Sequence, residues 1–339
     1  MQKSKVSTIS KKKAKGTASI IGDIILTVLL VGQLYFCAFH LFDEATLIEF
    51  GYYCLGAAIL VSTLKFVSYY FALTVLKYTG KSRLNDSTAA SRALNASKFA
   101  EQAWQLTVHA AGSYYAYGIL MEEDFAWLDV PYAVDKIYVN GIDPYPENIR
   151  RFIMAELSVW FWTGISCRFL EERRKDYFVM LSHHVITIFA VMQCWYTGCI
   201  RYSVAVLYLH DTSDVVIDTM KMLNYLEIEG AKYFFITEIT FLANFISWAY
   251  FRFYKFFFLW KALLLGNSAQ RWLEQGMPNA LFAGKVGGVW LLVLQVMHYW
   301  WFYLLARMLK KLLSKEKKTN HEIAREGYEG DSDKESHQD

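Results

Sequence analysis

Long apolar runs separated by short charged ones dominate the chain. About 20 apolar residues suffice for a helix to cross the hydrocarbon core of a bilayer. Eight such runs are readable, over residues 19–42, 50–76, 99–120, 150–170, 177–198, 202–223, 233–258 and 286–308. The pattern predicts an all-α integral membrane protein, a multi-span helical bundle of about eight transmembrane helices. The third and sixth runs are the least apolar. The seventh is long enough for its end to leave the membrane near Arg252 to Lys255.

Composition agrees with this reading. Only 20% of the 339 residues are charged, against roughly 25% in a soluble domain, and they cluster between the apolar runs. Residues 1–18 form a basic tail and 19–49 a first transmembrane helix with a short loop. Residues 50–308 form the main membrane domain, and 309–339 a tail that is basic and then acidic. The polar, acidic last stretch from His321 to Asp339 has the composition of a disordered segment. Lys and Arg collect in the N-terminal tail, in 77–98, in 168–176 and just after the last run. On an eight-span count these fall on one face, while the acidic loops 43–49 and 121–149 fall on the other. The positive-inside bias then places both termini in the cytosol. Two glycosylation sequons, at Asn85 and Asn95, lie in a segment assigned to the cytosolic side and are read as unused. The loop 121–149 carries Pro131, Pro144 and Pro146 and is a candidate cap for the lumenal end of the bundle. The five cysteines sit in or beside apolar runs and are read as small apolar helix residues.

Ionisable side chains inside the spans change the picture from a plain bundle to a working one. Each Asp, Lys or Arg at membrane depth costs roughly 2.5–3.5 kcal/mol on insertion scales. The fifth run places His183 and His184 side by side, about 10 Å below the basic cluster at 173–175, at 1.5 Å rise per residue. Thr187 shares a helix face with either of them. The sixth run begins at Arg201 and carries His210-Asp211-Thr212-Ser213-Asp214, then Asp218 and Lys221. Asp211, Asp214 and Asp218 form one stripe that must face the bundle interior. Asp218 and Lys221 also suit a surface pair near the cytosolic end. A short connection around Gly198 makes the two helices antiparallel neighbours, which brings the histidines near His210 and Asp211. A neutral imidazole held by a carboxylate is a general base or a strengthened nucleophile. The expected arrangement is His183 partnered by Asp211, with His184 and His210 in support. His40, His109, His298, His321 and His337 make no di-iron histidine box. A zinc site from His183 or His184 with His210 and Asp211 is chemically feasible, but no metal is expected.

These residues, in this order, resemble the signature of the ceramide synthases, the TLC-domain family with the longevity-assurance motif. The chain has Arg173-Arg174-Lys175-Asp176, His183-His184-Val185-Ile186-Thr187, Arg201, His210-Asp211-Thr212-Ser213-Asp214, then Lys221 with Asn224-Tyr225. It departs from many members near Cys194-Trp195-Tyr196. The resemblance implies that six of the helices form a TLC-domain bundle with an internal chamber, and that the activity is N-acylation of a sphingoid long-chain base by a fatty acyl-CoA. It assigns catalysis to His183, His184, Asp211 and Asp214, with His210, and substrate binding to Arg168, Arg173, Arg174, Lys175, Thr187, Arg201 and Ser213. No cofactor is implied, since acyl-CoA is a co-substrate. The implied partners are acyl-CoA, the sphingoid base and membrane lipid, with room for a homo- or hetero-oligomer or a regulatory subunit and none for nucleic acid. The implied location is the endoplasmic reticulum membrane. In the family, acyl-length preference is tied to the stretch before the last span, here about 260–285. The alternative reading is a non-catalytic TLC-domain protein that senses lipid or associates with a translocon.

Overall fold

The computed structural model describes residues 17–79, 87–122, 146–170 and 177–313. Among the described residues there are helices and connections and no strand. Every apolar run corresponds to a helix. These are α1 (Thr17–Phe36), widened over Cys37–Leu41 into a π-type turn, α2 (Glu44–Thr79), α3 (Ser87–Glu122) and α4 (Glu147–Phe169). Then follow α5 (Tyr177–Thr197), α6 (Ile200–Tyr225) and α7 (Ile236–Ser247). The last passes through π-helical Trp248–Lys255 directly into α8 (Phe256–Leu264). The short α9 (Ser268–Glu274) and the long α10 (Ala280–Leu313) complete the order. The N-terminal tail, most of the loop 121–149 with Pro131 and Pro144, the basic residues 173–175, Asn85 and the tail beyond 313 lie outside the described residues.

Four stretches, Ser19–Leu41, Glu44–Thr79, Tyr177–Thr197 and Ala280–Lys310, are long and apolar enough to cross a membrane. They sort by position. Only 17% of the apolar window of each of the first two is buried, against 50% for the third. Ile21, Ile24 and Val28 on α1, and Ile59, Phe66 and Val67 on α2, therefore face outward. A contiguous apolar outer surface of this kind is unsuited to water and suited to lipid. The other helices carry more ionisable groups, and several of these are buried: Glu156 on α4, His210, Asp211 and Asp218 on α6, and Arg252 and Lys255 between α7 and α8. The chain is a multi-pass helical membrane protein.

The interior is organised around α6, which packs against α3, α5, α7 and the π-helical stretch. The α5–α6 connection is as tight as the sequence predicts. α5 stops at Thr197, Gly198 takes φ +84°, a region open to glycine, and α6 starts at Ile200. The Tyr202 hydroxyl then donates to the Leu259 carbonyl, tying α6 to α8. At the start of α2 the Asp43 carboxylate accepts the Thr46 N–H at 2.7 Å. That backbone hydrogen bond holds the Asp43 carboxyl below the usual carboxylate range. All five cysteines are free thiols. Asn95 is buried on α3 and its amide donates to Glu227 at 3.2 Å, so its sequon has no room for a glycan.

The 260–285 stretch is anchored in the core by some of its side chains, while others, such as Leu265 and Phe282, are exposed. Trp272 is buried edge-on to Tyr202, with ring centroids 5.7 Å apart. α9 and α10 meet so closely at Gly284 that a Cβ there would lie 2.6 Å from the Ala269 Cβ. Gly284→Val is therefore expected to destabilise the fold by about 1–3 kcal/mol through overpacking. The midpoint of thermal unfolding in detergent measures this, and an unchanged midpoint would mean that α9 does not pack there.

Candidate active site

Six elements converge on one cavity of about 200 Å³. α5 contributes His183 and His184, α6 Asp214 and Asp218, α4 Glu156 and Trp160, α3 His109, α10 Trp301, and the π-helical stretch Arg252. Each is placed by helical geometry. Adjacent residues on a helix point about 100° apart, so the two imidazoles of α5 diverge around a single indole. The Trp160 ring lies 5.3 Å from His183, nearly edge-on, and 5.4 Å from His184. Trp301 closes the other side of His183 at 5.3 Å. The His184 Nδ1 lies 3.4 Å from the Thr163 hydroxyl. The His183 Nδ1 is buried and has no hydrogen-bond partner among the described residues. An imidazole whose ring nitrogen is not engaged by the protein keeps basic or nucleophilic capacity available, whichever tautomer it adopts.

Behind His183 lies a second polar layer. The His210 ring is nearly parallel to that of His183 with centroids 6.2 Å apart. Its Nδ1 is 2.7 Å from the Val206 carbonyl. A carbonyl only accepts, so Nδ1 carries the proton. The Nε2 of His210 faces the Nε2 of His298 on α10 at 3.1 Å. Arg252 binds this layer together. Its Nε donates to Ser213 Oγ at 2.6 Å, and its Nη2 donates to Asp214 Oδ1 at 2.6 Å and to the His210 carbonyl at 3.0 Å. Its Nη1 lies 3.1 Å from His298 Nε2. The guanidinium also lies over the Trp248 ring at 5.1 Å, and Gln295 donates to the Arg252 carbonyl. A planar fork with several donors suits this many-partner role better than a point charge would.

The aspartate stripe faces inward, and each member meets a different group. Asp214 takes Arg252, and Asp218 takes His109 Nδ1 at 2.7 Å. Asp211 turns toward α3 and α4 instead of toward His183. No hydrogen bond or ion pair joins Asp211 to His183, and Asp211 Oδ2 has no hydrogen-bond partner among the described residues. The expected His183–Asp211 pair is thus replaced by ring packing of His183 on His210. The reason is register, since Asp211 leaves α6 about 100° from His210. Asp218 is buried and paired with a histidine, which corrects the surface-pair reading. Arg252 and Lys255, read from the sequence as near the end of the seventh span, are both buried within the protein.

Residues assigned to substrate binding scatter. Ser213 is fully buried, accepting from Arg252 and donating to the His210 carbonyl at 2.8 Å. Thr187 is buried one turn beyond His183, and Arg201 is half-buried at the start of α6. None of these three lines the cavity. Arg168 donates to Thr27 at 2.6 Å and lies 3.5 Å from Asp23, so α1 already occupies it. Sequence reasoning passed over His109, Glu156, Arg252 and His298. The available signal was their depth: each is an ionisable residue inside an apolar run, and Gln295 and His298 share a face at i, i+3. Among the described residues no three His, Cys, Asp or Glu side chains are grouped to hold a metal ion.

Comparison with known proteins adds the family. A model of the TLC domain matches residues 98–307, which contain every group around the cavity. Ceramide synthase LOH2 of Arabidopsis thaliana is 29% identical over 294 residues, covering 86% of this chain and 93% of that protein. ASC1-like protein 3 of Oryza sativa subsp. japonica is 28% identical over 67% of this chain and 76% of its own length. Ceramide synthase 5 of Homo sapiens is 26% identical over 65% of this chain and 52% of its own. The TLC match spans more than half of the sequence and the whole cavity, and the chain belongs to the TLC-domain family, in the branch represented by the ceramide synthases.

Proposed function

We propose that this protein N-acylates a sphingoid long-chain base with a fatty acyl-CoA, giving an amide of the ceramide or dihydroceramide type and free CoA. The observation that carries the reading is the joint opening of His183 and His184 onto the cavity that Asp214 and Arg252 also line, with the His183 Nδ1 unengaged. A long-chain amine is protonated at neutral pH and must lose a proton before it attacks a thioester. In one route an imidazole of the pair takes that proton, the amine nitrogen bonds to the thioester carbonyl carbon, the C–S bond breaks, and the CoA thiolate leaves and is protonated. In the other, His183 first attacks the thioester and forms an acyl-imidazole with release of CoA. The amine then attacks the acyl carbonyl, and the C–N bond to the ring breaks. Arg252, Ser213 and His298 hold His210 against His183, and Asp214 balances the Arg252 charge.

In this reading all eight helical stretches span the bilayer. Six of them form the TLC bundle, the cavity is part of an internal chamber open to the cytosolic side, and both termini are cytosolic in the endoplasmic reticulum membrane. The CoA phosphates are attracted by Arg173, Arg174 and Lys175, while Arg168 anchors α1. The purified full chain, given a sphingoid base and a panel of acyl-CoA lengths, is expected to form amide and release an equal amount of CoA, read by lipid mass spectrometry. No amide at any chain length would discard the enzyme and favour a non-catalytic TLC protein.

A further inference from the structure

We infer that Glu156, opposite Asp211 across Gly112, is a positioning residue that receives the ammonium group of the long-chain amine. The inference rests on the acyltransfer reading above and adds to it the place where the second substrate is held.

Four carboxylates line the cavity: Glu101, Glu156, Asp214 and Asp218. Three of them have a basic partner. Glu101 is 2.9 Å from Lys65, Asp214 is 2.6 Å from Arg252, and Asp218 is 2.7 Å from His109. Glu156 has no basic partner among the described residues. Its carboxylate accepts a hydrogen bond from the Trp160 indole, a neutral donor. His109 lies within electrostatic reach of it, but the His109 Nδ1 is committed to Asp218. A buried carboxylate without a cation is costly to the fold unless something completes it.

Two further observations point to a ligand. Asp211 is 1% exposed, and its Oδ2 has no hydrogen-bond partner. That atom and Glu156 Oε1 converge on the same place: a Cβ at Gly112 would lie 2.5 Å from the first and 2.8 Å from the second. Two acceptor oxygens are thus packed together against the α3 backbone, and of the two side chains Glu156 is the one that lines the cavity. A primary ammonium in the cavity, with three donors and one positive charge, completes Glu156 and offsets the negative charge of Asp211 behind it. The location also serves the chemistry. Trp160, which donates to Glu156, packs against both His183 and His184. A nitrogen held by Glu156 is therefore one indole away from the imidazoles that remove its proton. Glu156 orients the amine in this scheme, and the histidines perform the transfer.

The test separates the two substrates kinetically. With the purified full chain and saturating acyl-CoA, Glu156→Gln is expected to raise KM for the sphingoid base about 10- to 100-fold, the value of one hydrogen bond to a charged group. KM for acyl-CoA should stay within about twofold of wild type, since a loss confined to one substrate marks a contact made to that substrate. Glu156→Asp should recover part of the affinity for the base. A long-chain alcohol of the same length, lacking the amine, should compete much less well than the long-chain amine against wild type and equally well against Glu156→Gln. A wild-type KM for the base in Glu156→Gln overturns the inference while leaving acyl transfer intact. Should that variant fail to assemble, Gly112→Ala, which presses on both carboxylates, must show the same selective rise, and an unchanged KM there is equally fatal. Absence of amide from the wild type removes the acyltransfer reading itself.

Discussion

Replacing His183 with alanine is expected to lower amide formation about 10²- to 10⁴-fold, the range supplied by a positioned acid–base group, while the protein still assembles. The expectation follows from placement. His183 lies between Trp160 and Trp301 and stacks on His210, with Nδ1 free of hydrogen bonds. The rings that hold it remain in the variant, so a loss of rate cannot be put down to a loss of fold if the size-exclusion profile is unchanged. His40→Ala on the outer face is the matched control and should leave the rate as it is. A His183→Ala protein with near wild-type turnover would remove His183 from the chemistry. Intact-mass measurement after acyl-CoA alone divides the two routes. One added acyl mass on wild type, absent from His183→Ala, marks the acyl-imidazole, and its absence from both marks direct attack by the amine.

Arg252→Ala is expected to have the largest effect on stability, about 3 kcal/mol or more, as when one member of a buried ion pair is removed. The guanidinium serves Ser213, Asp214, the His210 carbonyl and His298 together. Its loss leaves Asp214 without a cation and frees the ring of His210 from its backing. The midpoint of thermal unfolding in detergent should fall, and any folded fraction should show reduced turnover. Arg252→Lys should restore the charge and little of the geometry, because an ammonium cannot address four partners spread around a planar fork. A midpoint equal to wild type in Arg252→Ala would show that the second polar layer contributes nothing to stability.

Much of this architecture was readable from local sequence, for a physical reason. A membrane helix must satisfy its backbone within its own segment, so apolar runs report helices directly, and all eight runs coincide with helices. The short link at Gly198 likewise reported that α5 and α6 are neighbours. What local sequence could not report was rotation about each helix axis. Asp211 follows His210 directly, and only the packed structure shows that one faces α10 and the other α3. Arg252 and Lys255 look like the charged end of a long span in sequence, because the burial of Arg252 depends on Ser213, Asp214 and His298, which lie elsewhere in the chain. His109 and His298 were passed over because their partners lie far away in the chain: 109 residues separate His109 from Asp218, and 88 separate His298 from His210.

The π-helical stretch Trp248–Lys255 has a consequence for chain length. An i→i+5 segment accommodates one more residue than an α-helix of the same rise. Deleting a single residue there would let the rod relax to regular winding with the flanking helices kept in register, so the side chains wound into the stretch would be redirected. Phe256, Leu259 and Leu263 would stay buried against the core, while the Arg252 guanidinium would be carried off its partners. The place of that guanidinium is thus set by one inserted residue, so the rod can vary its side chains far more freely than its residue count.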